Sequence, residues 1–284
     1  MIPAAFEYAR ATSLDDALAR MQAANGAGKL IAGGHSLVPL MKLRLSEPQL
    51  LIDISRIPEL AGIRERDGKI AIGACTVHHD VASSALLQAR CPIVADAAAT
   101  IGDPQVRNRG TIGGSVAHAD PSADMPAVLV ALDAEIHLKG PRGWRMVKAG
   151  DFFEDLFTVD MAADEIIVSI QFTPVRTAAY AKLHQRASHY AIVGVAVALE
   201  MGDGRIASAR VGLTGAASSA RRLTAVEQAL AGHAPSSGEV ESAIQAAGQE
   251  MDDLNADLHA SADYRRAMIP VFTRRALLAA AARA

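Results

Sequence analysis

The sequence predicts an α+β protein whose chain divides into two parts. Short segments with strand or helix periodicity alternate over residues 1–175, and past residue 177 three strand-like segments precede three helical ones. A polar, glycine-dense stretch, Ile101–Pro126, interrupts the first part although apolar segments flank it on both sides. Such an order of elements indicates layers of strands packed on helices. A glycine-dense polar stretch inside a compact domain usually brings backbone close to a ligand.

Length and charge exclude several classes of protein. The chain has 284 residues, half of them hydrophobic, which is enough for a sizeable core and for two domains or one large one. The net charge of −3 gives no basic footprint for nucleic acid. No apolar run reaches the roughly 18 residues of a membrane span. The N-terminus carries an acid and no apolar core, which is unlike a secretory signal, so we expect a cytoplasmic protein.

The two cysteines, Cys75 and Cys91, stand alone in the sequence. Neither belongs to a CxxC or another metal-binding spacing, and an iron–sulfur cluster normally takes four ligands. We therefore predict two buried free thiols and no metal site. Any redox chemistry on this chain would need an organic cofactor.

The first part begins with a helix over Ser13–Ala24. Ser13 is a natural N-cap, and Asp15 and Asp16 occupy the first turn, where the helix dipole favours acids. The other segments were assigned by periodicity and turn signals. They are strands at 29–32, 50–54 and 165–172, hairpins at 63–72 and 134–147, helices at 77–87 and 93–101, and a loop at 151–153.

A boundary is predicted at residues 174–177, after which the pattern changes. Gly202-Asp203-Gly204 is a strong hairpin signal inside the second part. The predicted strands are 178–184, 191–201 and 205–214, and the predicted helices are 220–230, 237–251 and 264–282. Three strands followed by three helices indicate one sheet covered by helices.

The first glycine loop is Lys29–Ser36, with the sequence KLIAGGHS. A short β-prone run leads into Gly33-Gly34, and a plausible short helix follows with Ser36 near its N-cap. Paired glycines allow positive φ, and successive N–H groups in such a turn form a concave nest for an anion such as a diphosphate. Residues 32–36 are therefore a candidate diphosphate cradle. The alternative is an ordinary turn between a strand and a helix.

The second glycine loop, Thr111–Ser115, repeats the same arrangement. Asp120 and Asp124 follow it, four residues apart. Either Asp120 or Ser122 would start a helix as an N-cap, whereas Asp124 would alternatively hydrogen-bond a ligand. These two interpretations are compatible, and both stay open.

Histidines and arginines near the loops have mainly structural interpretations. We expect His35 to bond local backbone, and we expect surface or capping roles for His78 and His79. Arg107 and Arg109 are interpreted as loop cations that pair with local acids or with phosphate.

Taken together, these motifs resemble the FAD-binding medium subunits of the molybdenum hydroxylases, such as the flavoprotein subunits of carbon monoxide dehydrogenase and xanthine dehydrogenase. The residues that carry the resemblance span essentially the whole chain. They are AGGHS at 32–36, RNRGTIGGS at 107–115, HADPSADMP at 118–126, DEIIVSIQF at 164–172 and the run 182–193. The resemblance implies a two-part FAD-binding domain of the vanillyl-alcohol oxidase and p-cresol methylhydroxylase type over 1–175, with subdomains 1–55 and 56–175. An α+β C-terminal domain with a three-stranded antiparallel sheet would follow over 178–284.

The resemblance also implies a cofactor site. Its members would be Ala32, Gly33, Gly34, His35, Ser36, Leu37, Thr111, Ile112, Gly113, Gly114, Ser115, Asp120, Asp124, Ile166, Ile167, Lys182 and Tyr190. For Ile166 and Ile167, two apolar residues in a strand, core packing is the stronger alternative. His189 stands where the family commonly has aspartate.

By the same resemblance, the chain would bind FAD without a covalent bond and form the electron exit of a molybdenum hydroxylase. A large molybdopterin subunit and a small subunit with [2Fe-2S] clusters would be its partners, in a dimer of heterotrimers. The flavin would reduce NAD, a quinone or oxygen, and no catalytic acid or base is required of this chain. Two alternatives are a self-contained flavin oxidase, with His189 or His118 as base, and a non-catalytic nucleotide-binding structural subunit.

Overall fold

The computed structural model describes all 284 residues. The strands are β1 (Glu7–Arg10), β2 (Gly28–Ile31), β3 (Leu50–Asp53), β4 (Ile63–Arg66), β5 (Lys69–Gly73), β6 (Glu135–Gly140), β7 (Gly143–Lys148), β8 (Phe153–Asp155), β9 (Thr158–Val159), β10 (Ile166–Phe172), β11 (Ala178–His184), β12 (Ala191–Gly202), β13 (Arg205–Thr214) and β14 (Arg221–Arg222).

Twelve helices, most of them short, connect these strands. They are α1 (Leu14–Ala24), α2 (Leu37–Lys42), α3 (His78–Ser83), α4 (Ala85–Arg90), α5 (Pro92–Ala99), α6 (Pro104–Arg107), α7 (Ile112–His118), α8 (Asp124–Ala131), α9 (Ala149–Phe152), α10 (Thr224–Leu230), α11 (Gly238–Gln245) and α12 (Ala262–Ala281). None of the helices is both long enough and apolar enough to cross a membrane.

The N-terminal sheet is small and parallel, with strand order β1-β3-β2. The predicted cap of α1 is confirmed, because the Ser13 hydroxyl accepts a hydrogen bond from the Asp16 N–H at 3.1 Å. Leu14, Leu18 and Ile52 belong to an eleven-residue core between α1 and this sheet. The sheet therefore holds the C-terminal end of β2, from which the first glycine loop leaves, in a fixed place.

The second sheet is antiparallel, with strand order β4-β5-β10-β6-β7. The predicted hairpin turn at Asp67-Gly68 is confirmed, and both residues have positive φ, of 52° and 75°. Helices α5 and α8 belong to the 35-residue core that packs on this sheet. All eight residues of α8 are buried, and Asp124 is the only ionisable one among them.

The C-terminal sheet is antiparallel, with strand order β11-β12-β13-β14. Helices α10, α11 and α12 enclose a 23-residue core with it, and α8 of the preceding part also packs against β12 and β13. The three predicted strands are present, and β14 adds a short fourth. The helix predicted from residue 220 begins only at Thr224, because Arg221 and Arg222 first pair with β13.

Further boundaries differ from the sequence prediction, among them the end of the helix predicted over 237–251, which lies at Gln245. The helix predicted over 77–87 is broken at Ser84, whose hydroxyl accepts a hydrogen bond from the Leu87 N–H and so starts α4 afresh. The loop predicted at 151–153 contains the end of α9 and the start of β8 instead. Phe152 and Phe153 are buried there, so packing orders a segment without turn or periodicity signals. The predicted α+β class is confirmed.

Candidate functional site: a backbone cradle beside an interdomain cleft

The first glycine loop presents a run of free backbone donors. The N–H groups of residues 32–37 make no hydrogen bond within the protein, although the carbonyls of Gly34 and Ser36 accept bonds that start α2. Gly34 has φ +73°, a conformation that suits glycine. Consecutive N–H groups in such a turn, at the start of a helix, favour an anion.

The two glycine loops, which are far apart in sequence, touch each other. A Cβ at Gly33 would overlap the Arg109 carbonyl oxygen and would lie 2.9 Å from Cα of Gly110. Gly113 is held equally close to Ala74, because a Cβ there would lie 2.7 Å from the Ala74 Cα. Both positions therefore require glycine for a close contact of backbone with backbone.

The second loop differs from the first in its donors. Thr111 is the N-cap of α7, and its hydroxyl accepts a hydrogen bond from the Gly114 N–H at 3.1 Å. The N–H groups of Ile112, Gly113 and Ser115 donate to carbonyls of Thr76, Ala74 and Thr111. Most N–H groups of this loop are thus already used inside the protein. The Ser115 hydroxyl makes no bond and is still available.

Two helix N-caps that the sequence predicted near these loops, one on α2 and one on α8, are not formed. Ser36 stands at the N-cap position of α2 as predicted, but its hydroxyl accepts no capping hydrogen bond. The prediction that Asp120 or Ser122 caps the next helix is wrong. Helix α8 begins at Asp124 after Ala123, and Asp120 instead accepts a bond from the Ser122 N–H at 2.8 Å. The Ser36 hydroxyl is therefore free beside the cradle.

Two basic side chains, His35 and Arg107, lie around the glycine loops. His35 is exposed, and its Nδ1 lies 3.2 Å from the Gly33 carbonyl oxygen, as expected for a loop histidine that bonds local backbone. Arg107 donates to the carbonyls of Ile101 and Gly102 at 2.9 and 3.1 Å and has no acidic partner. Of the two predicted partners of Arg107, a local acid is absent and phosphate stays a prediction.

His78 lies directly behind the second loop and is only 4% exposed, contrary to the expected surface or capping role. A Cβ at Gly110 would lie 3.1 Å from Cδ2 of its ring. Burial, followed by the charges of His35 and Arg107, lowers the pKa of His78 to about 4. The ring is therefore neutral at physiological pH.

Asp124 joins the two parts of the chain. Its carboxylate lies 2.8 Å from Lys182 Nζ, and the Tyr180 hydroxyl donates to it at 2.5 Å. Lys182 also donates to the Thr100 carbonyl at 3.1 Å. Burial raises the pKa of Asp124 above its ordinary value, while Lys182 and Tyr180 act against that rise. Asp124 is thus one member of a buried ion pair that joins the two parts of the chain.

Beside this pair, a polar cleft of about 500 Å³ separates residues 99–107 from the C-terminal sheet. Its lining includes Arg107, Lys182, His184 and His189. Tyr190 is 45% exposed, and burial together with the charges of Asp120 and Asp124 raises the pKa of its hydroxyl. Its neighbour His189 lines the cleft, so the loop that carries Tyr190 reaches the same region.

The apolar pair Ile166 and Ile167 lies in two cores. Ile166 is 1% exposed and packs with α1, whereas Ile167 is 5% exposed and packs in the core of the second sheet. The side chains of both residues therefore pack in cores, which is the alternative that the sequence favoured. Only the backbone of these two residues remains for a ligand.

The arrangement fits a dinucleotide that carries a diphosphate and an aromatic ring system. Six free N–H groups, the Ser36 hydroxyl and the unpaired Arg107 suit the diphosphate. The cleft, with Arg107 and Lys182 in its lining, offers room for a ring system.

Comparison with known proteins agrees with this geometry. The family model for the FAD binding domain in molybdopterin dehydrogenase matches residues 4–174, and the model for the CO dehydrogenase flavoprotein C-terminal domain matches residues 178–280. The chain is an FAD-binding medium subunit of the molybdenum hydroxylase family. Its resemblance to that family is thereby confirmed.

Relatives match this medium subunit over its whole length. The carbon monoxide dehydrogenase medium chain of Hydrogenophaga pseudoflava is 42% identical over 286 residues, which cover all of this chain and 99% of the relative. The 6-hydroxypseudooxynicotine dehydrogenase complex subunit alpha of Paenarthrobacter nicotinovorans is 38% identical and covers 100% of this chain and 97% of its own. A structure of the H. pseudoflava carbon monoxide dehydrogenase superposes with a TM-score of 0.95 at 43% identity, covering 100% of this chain and 99% of that one. Medium subunits of this family are parts of oxidoreductases.

Sequence reasoning missed the burial of His78 and the unpaired charge of Arg107. No local signal identifies either, since His78 is one of two adjacent histidines and Arg107 lies in a loop with several polar residues. Gly110 packs against the ring of His78, and the carbonyls of Ile101 and Gly102 accept hydrogen bonds from Arg107.

Proposed function

We propose that this medium subunit binds one FAD without a covalent bond and passes electrons from the iron–sulfur clusters of a partner subunit to an external acceptor. The acceptor would be NAD, a quinone or oxygen. The observation that carries the cofactor site is the run of six backbone N–H groups at residues 32–37 without protein partners. Successive N–H groups that the protein leaves free are suited to hold an anion such as a diphosphate.

The proposed cofactor site includes the residues expected from the sequence. In the first loop they are Ala32, Gly33, Gly34, His35, Ser36 and Leu37. In the second loop and beyond they are Thr111, Ile112, Gly113, Gly114, Ser115, Asp120, Asp124, Ile166, Ile167, Lys182 and Tyr190. The first set would act mainly through backbone N–H groups. Among the second, Thr111 to Gly114 would shape the floor and Ser115 would offer its hydroxyl, while Lys182 and Tyr190 would line the ring end.

Bound FAD would supply both one-electron and two-electron chemistry, which lets a flavin join clusters to a hydride or electron acceptor. The chain's own share is positional and electrostatic. The N–H run would donate hydrogen bonds to the diphosphate and Arg107 would offset its charge, while the Lys182–Asp124 pair holds the wall of the cleft. The cysteines support this division of labour, because Cys75 and Cys91 are both buried free thiols and no cluster of metal-binding side chains exists.

We propose that the substrate is bound and oxidised on a separate molybdopterin subunit. The two relatives named above are subunits of dehydrogenases that are named for two different compounds, carbon monoxide and 6-hydroxypseudooxynicotine. A common medium subunit in such different enzymes supports a role in electron transfer. The proposed assembly has large, medium and small subunits, and two such trimers would pair. A cytoplasmic location stays a prediction from the sequence.

The test is purification of the tagged full chain from its native host at natural expression, followed by analysis of flavin, molybdenum and iron. We expect three different chains with FAD, molybdenum and iron in one complex. A chain that carries FAD as a free homo-oligomer and oxidises small alcohols or amines would overturn the proposal in favour of a self-contained oxidase. A complex without flavin would overturn it in favour of a structural subunit.

A further inference from the structure

His78 sits where the two glycine loops meet. Its backbone N–H donates to the Gly110 carbonyl at 2.9 Å, and its side chain backs onto Gly110. The Cδ2–Nε2 edge of the ring faces that glycine, since a Cβ at Gly110 would lie 3.1 Å from Cδ2 and 3.6 Å from Nε2. The backbone of Arg109 and Gly110 is also the surface against which Gly33 rests. The imidazole and the diphosphate cradle thus share one short backbone segment.

Neither ring nitrogen of His78 has a hydrogen-bond partner in the protein, and Nδ1 is closed off from solvent. A proton on Nδ1 would be a buried, unsatisfied N–H group, which is costly. A neutral imidazole carries its proton on one nitrogen only, so the favourable tautomer places it on Nε2. The ring then presents an N–H donor on the edge that faces Gly110 and the cradle.

The charges around this donor favour an anion. The Arg107 guanidinium is close enough to act on the His78 ring. Arg107 has no acidic partner of its own. A neutral donor can stay buried beside this cation, whereas a protonated ring would be repelled by it.

We infer that His78 is a further FAD-binding residue of this chain, whose Nε2–H donates to an oxygen of the cofactor diphosphate. The inference rests on the proposed function, because it names one more contact in the same cofactor site. An unpartnered polar group in a native structure commonly marks a partner that binds there. The diphosphate is the anion that the neighbouring N–H run is suited to hold.

The experiment uses the full chain, stripped of flavin, with FAD titrated back and binding followed by quenching of flavin fluorescence. Glutamine can place an amide N–H near the position of Nε2, whereas asparagine reaches only the position of Nδ1. We expect His78→Gln to keep nearly all affinity, and His78→Leu and His78→Asn to lose roughly 10- to 100-fold, the factor for a hydrogen bond to a charged group. The control His79→Leu changes the adjacent exposed histidine and should bind FAD like the unaltered chain.

The outcomes separate this inference from the proposed function. Failure of the unaltered chain to bind FAD would overturn the proposed function itself. Binding by the unaltered chain with equal affinity in His78→Leu would overturn only the role of His78. Equal losses in the leucine, asparagine and glutamine variants, with parallel drops in the thermal midpoint of the apoprotein, would show a purely structural role.

A measurement on the unaltered chain covers the case in which the variants do not fold. Nitrogen-15 chemical shifts of the imidazole report which ring nitrogen carries the proton. We expect the proton of His78 on Nε2 in the apoprotein, and a change of the Nε2 shift when FAD is added. A proton on Nδ1, or an Nε2 shift that FAD leaves unchanged, would overturn the inference.

Discussion

Lys182 and Asp124 form a buried ion pair that connects the C-terminal sheet to the rest of the molecule. The ammonium nitrogen lies 2.8 Å from the carboxylate, and each side chain is only 5% exposed. Asp124 begins α8, and Lys182 lies on β11, which is 58 residues away in sequence. The Tyr180 hydroxyl bonds the second carboxylate oxygen. The carboxylate therefore depends on partners from the other part of the chain for its compensation.

Removal of the lysine should destabilise the apoprotein strongly. Lys182→Met leaves the Asp124 charge buried without its cation, and we expect the free energy of unfolding to fall by about 3–5 kcal/mol. The double variant with Asp124→Leu should recover much of this loss, because no uncompensated charge then remains. Urea denaturation of the flavin-free chain measures both values.

Arg90→Met is the control, because it removes an exposed ion pair instead of a buried one. Arg90 pairs with Glu65 at 2.9 Å, but its side chain is 49% exposed. We expect a loss below about 1 kcal/mol, as for other exposed pairs. Equal losses in Arg90→Met and Lys182→Met would contradict the buried character of the interdomain pair.

The lowered pKa of His78 should make the folded chain less stable in acid. Its ordinary pKa is 6.5, whereas burial lowers its pKa in the folded chain to about 4. Between these pH values the unfolded chain binds a proton that the folded chain does not, so stability falls as the pH is lowered through this window. The full effect is about 3 kcal/mol. His78→Leu should lose this part of the pH dependence between pH 7 and 4 in urea denaturation, whereas an unchanged pH slope would contradict it.

Local features of the fold could be predicted from the sequence because their causes are local. The Ser13 cap, the Asp67-Gly68 turn and the free loop at Gly33-Gly34 each follow from neighbouring residues. The two glycine loops were also identified correctly as a pair. The close backbone packing at Gly33 and Gly113 could not be predicted, because Arg109 and Ala74, which they contact, are distant in sequence.

The features that sequence reasoning could not supply depend on distant partners. Asp124 had two local interpretations, and neither included the Lys182 and Tyr180 side chains that occupy it. Arg221 and Arg222 form a strand because β13 lies beside them, although their neighbours favour a helix. His78 is buried because Gly110 folds over it, which nothing in its own segment indicates.

Gly33→Ala should separate the two glycine loops. The added Cβ would overlap the Arg109 carbonyl oxygen and would also press on Cα of Gly110. Both are backbone atoms, so a rotation of a side chain cannot relieve the overlap. We expect a loss of about 1–3 kcal/mol in unfolding free energy, the usual range for overpacking. FAD affinity should fall as well, because residue 33 belongs to the N–H run. Urea denaturation and FAD titration measure the two effects.

Gly150→Ala is the matched control for this substitution. Gly150 is exposed on α9, and a Cβ there would meet nothing within 4 Å. Stability should stay the same or rise slightly, because alanine favours a helix over glycine. If Gly33→Ala behaved like Gly150→Ala in both measurements, the close contact of the two loops would be refuted.

His189→Asp tests how the cleft acts on the bound cofactor. His189 has φ +63°, a conformation that aspartate also tolerates, and its ring lines the cleft together with Lys182. The variant should therefore fold normally while it adds a negative charge near the proposed ring position. We expect the reduction potential of bound FAD to fall by tens of millivolts, on the order of the interaction of one partly screened charge. Potentiometric titration of the reconstituted chain measures this shift, with the exposed His259→Asp, which lies outside the cleft lining, as control. Equal shifts in the two variants would mean that only the net charge matters, and the cleft would then not be the site of the flavin ring.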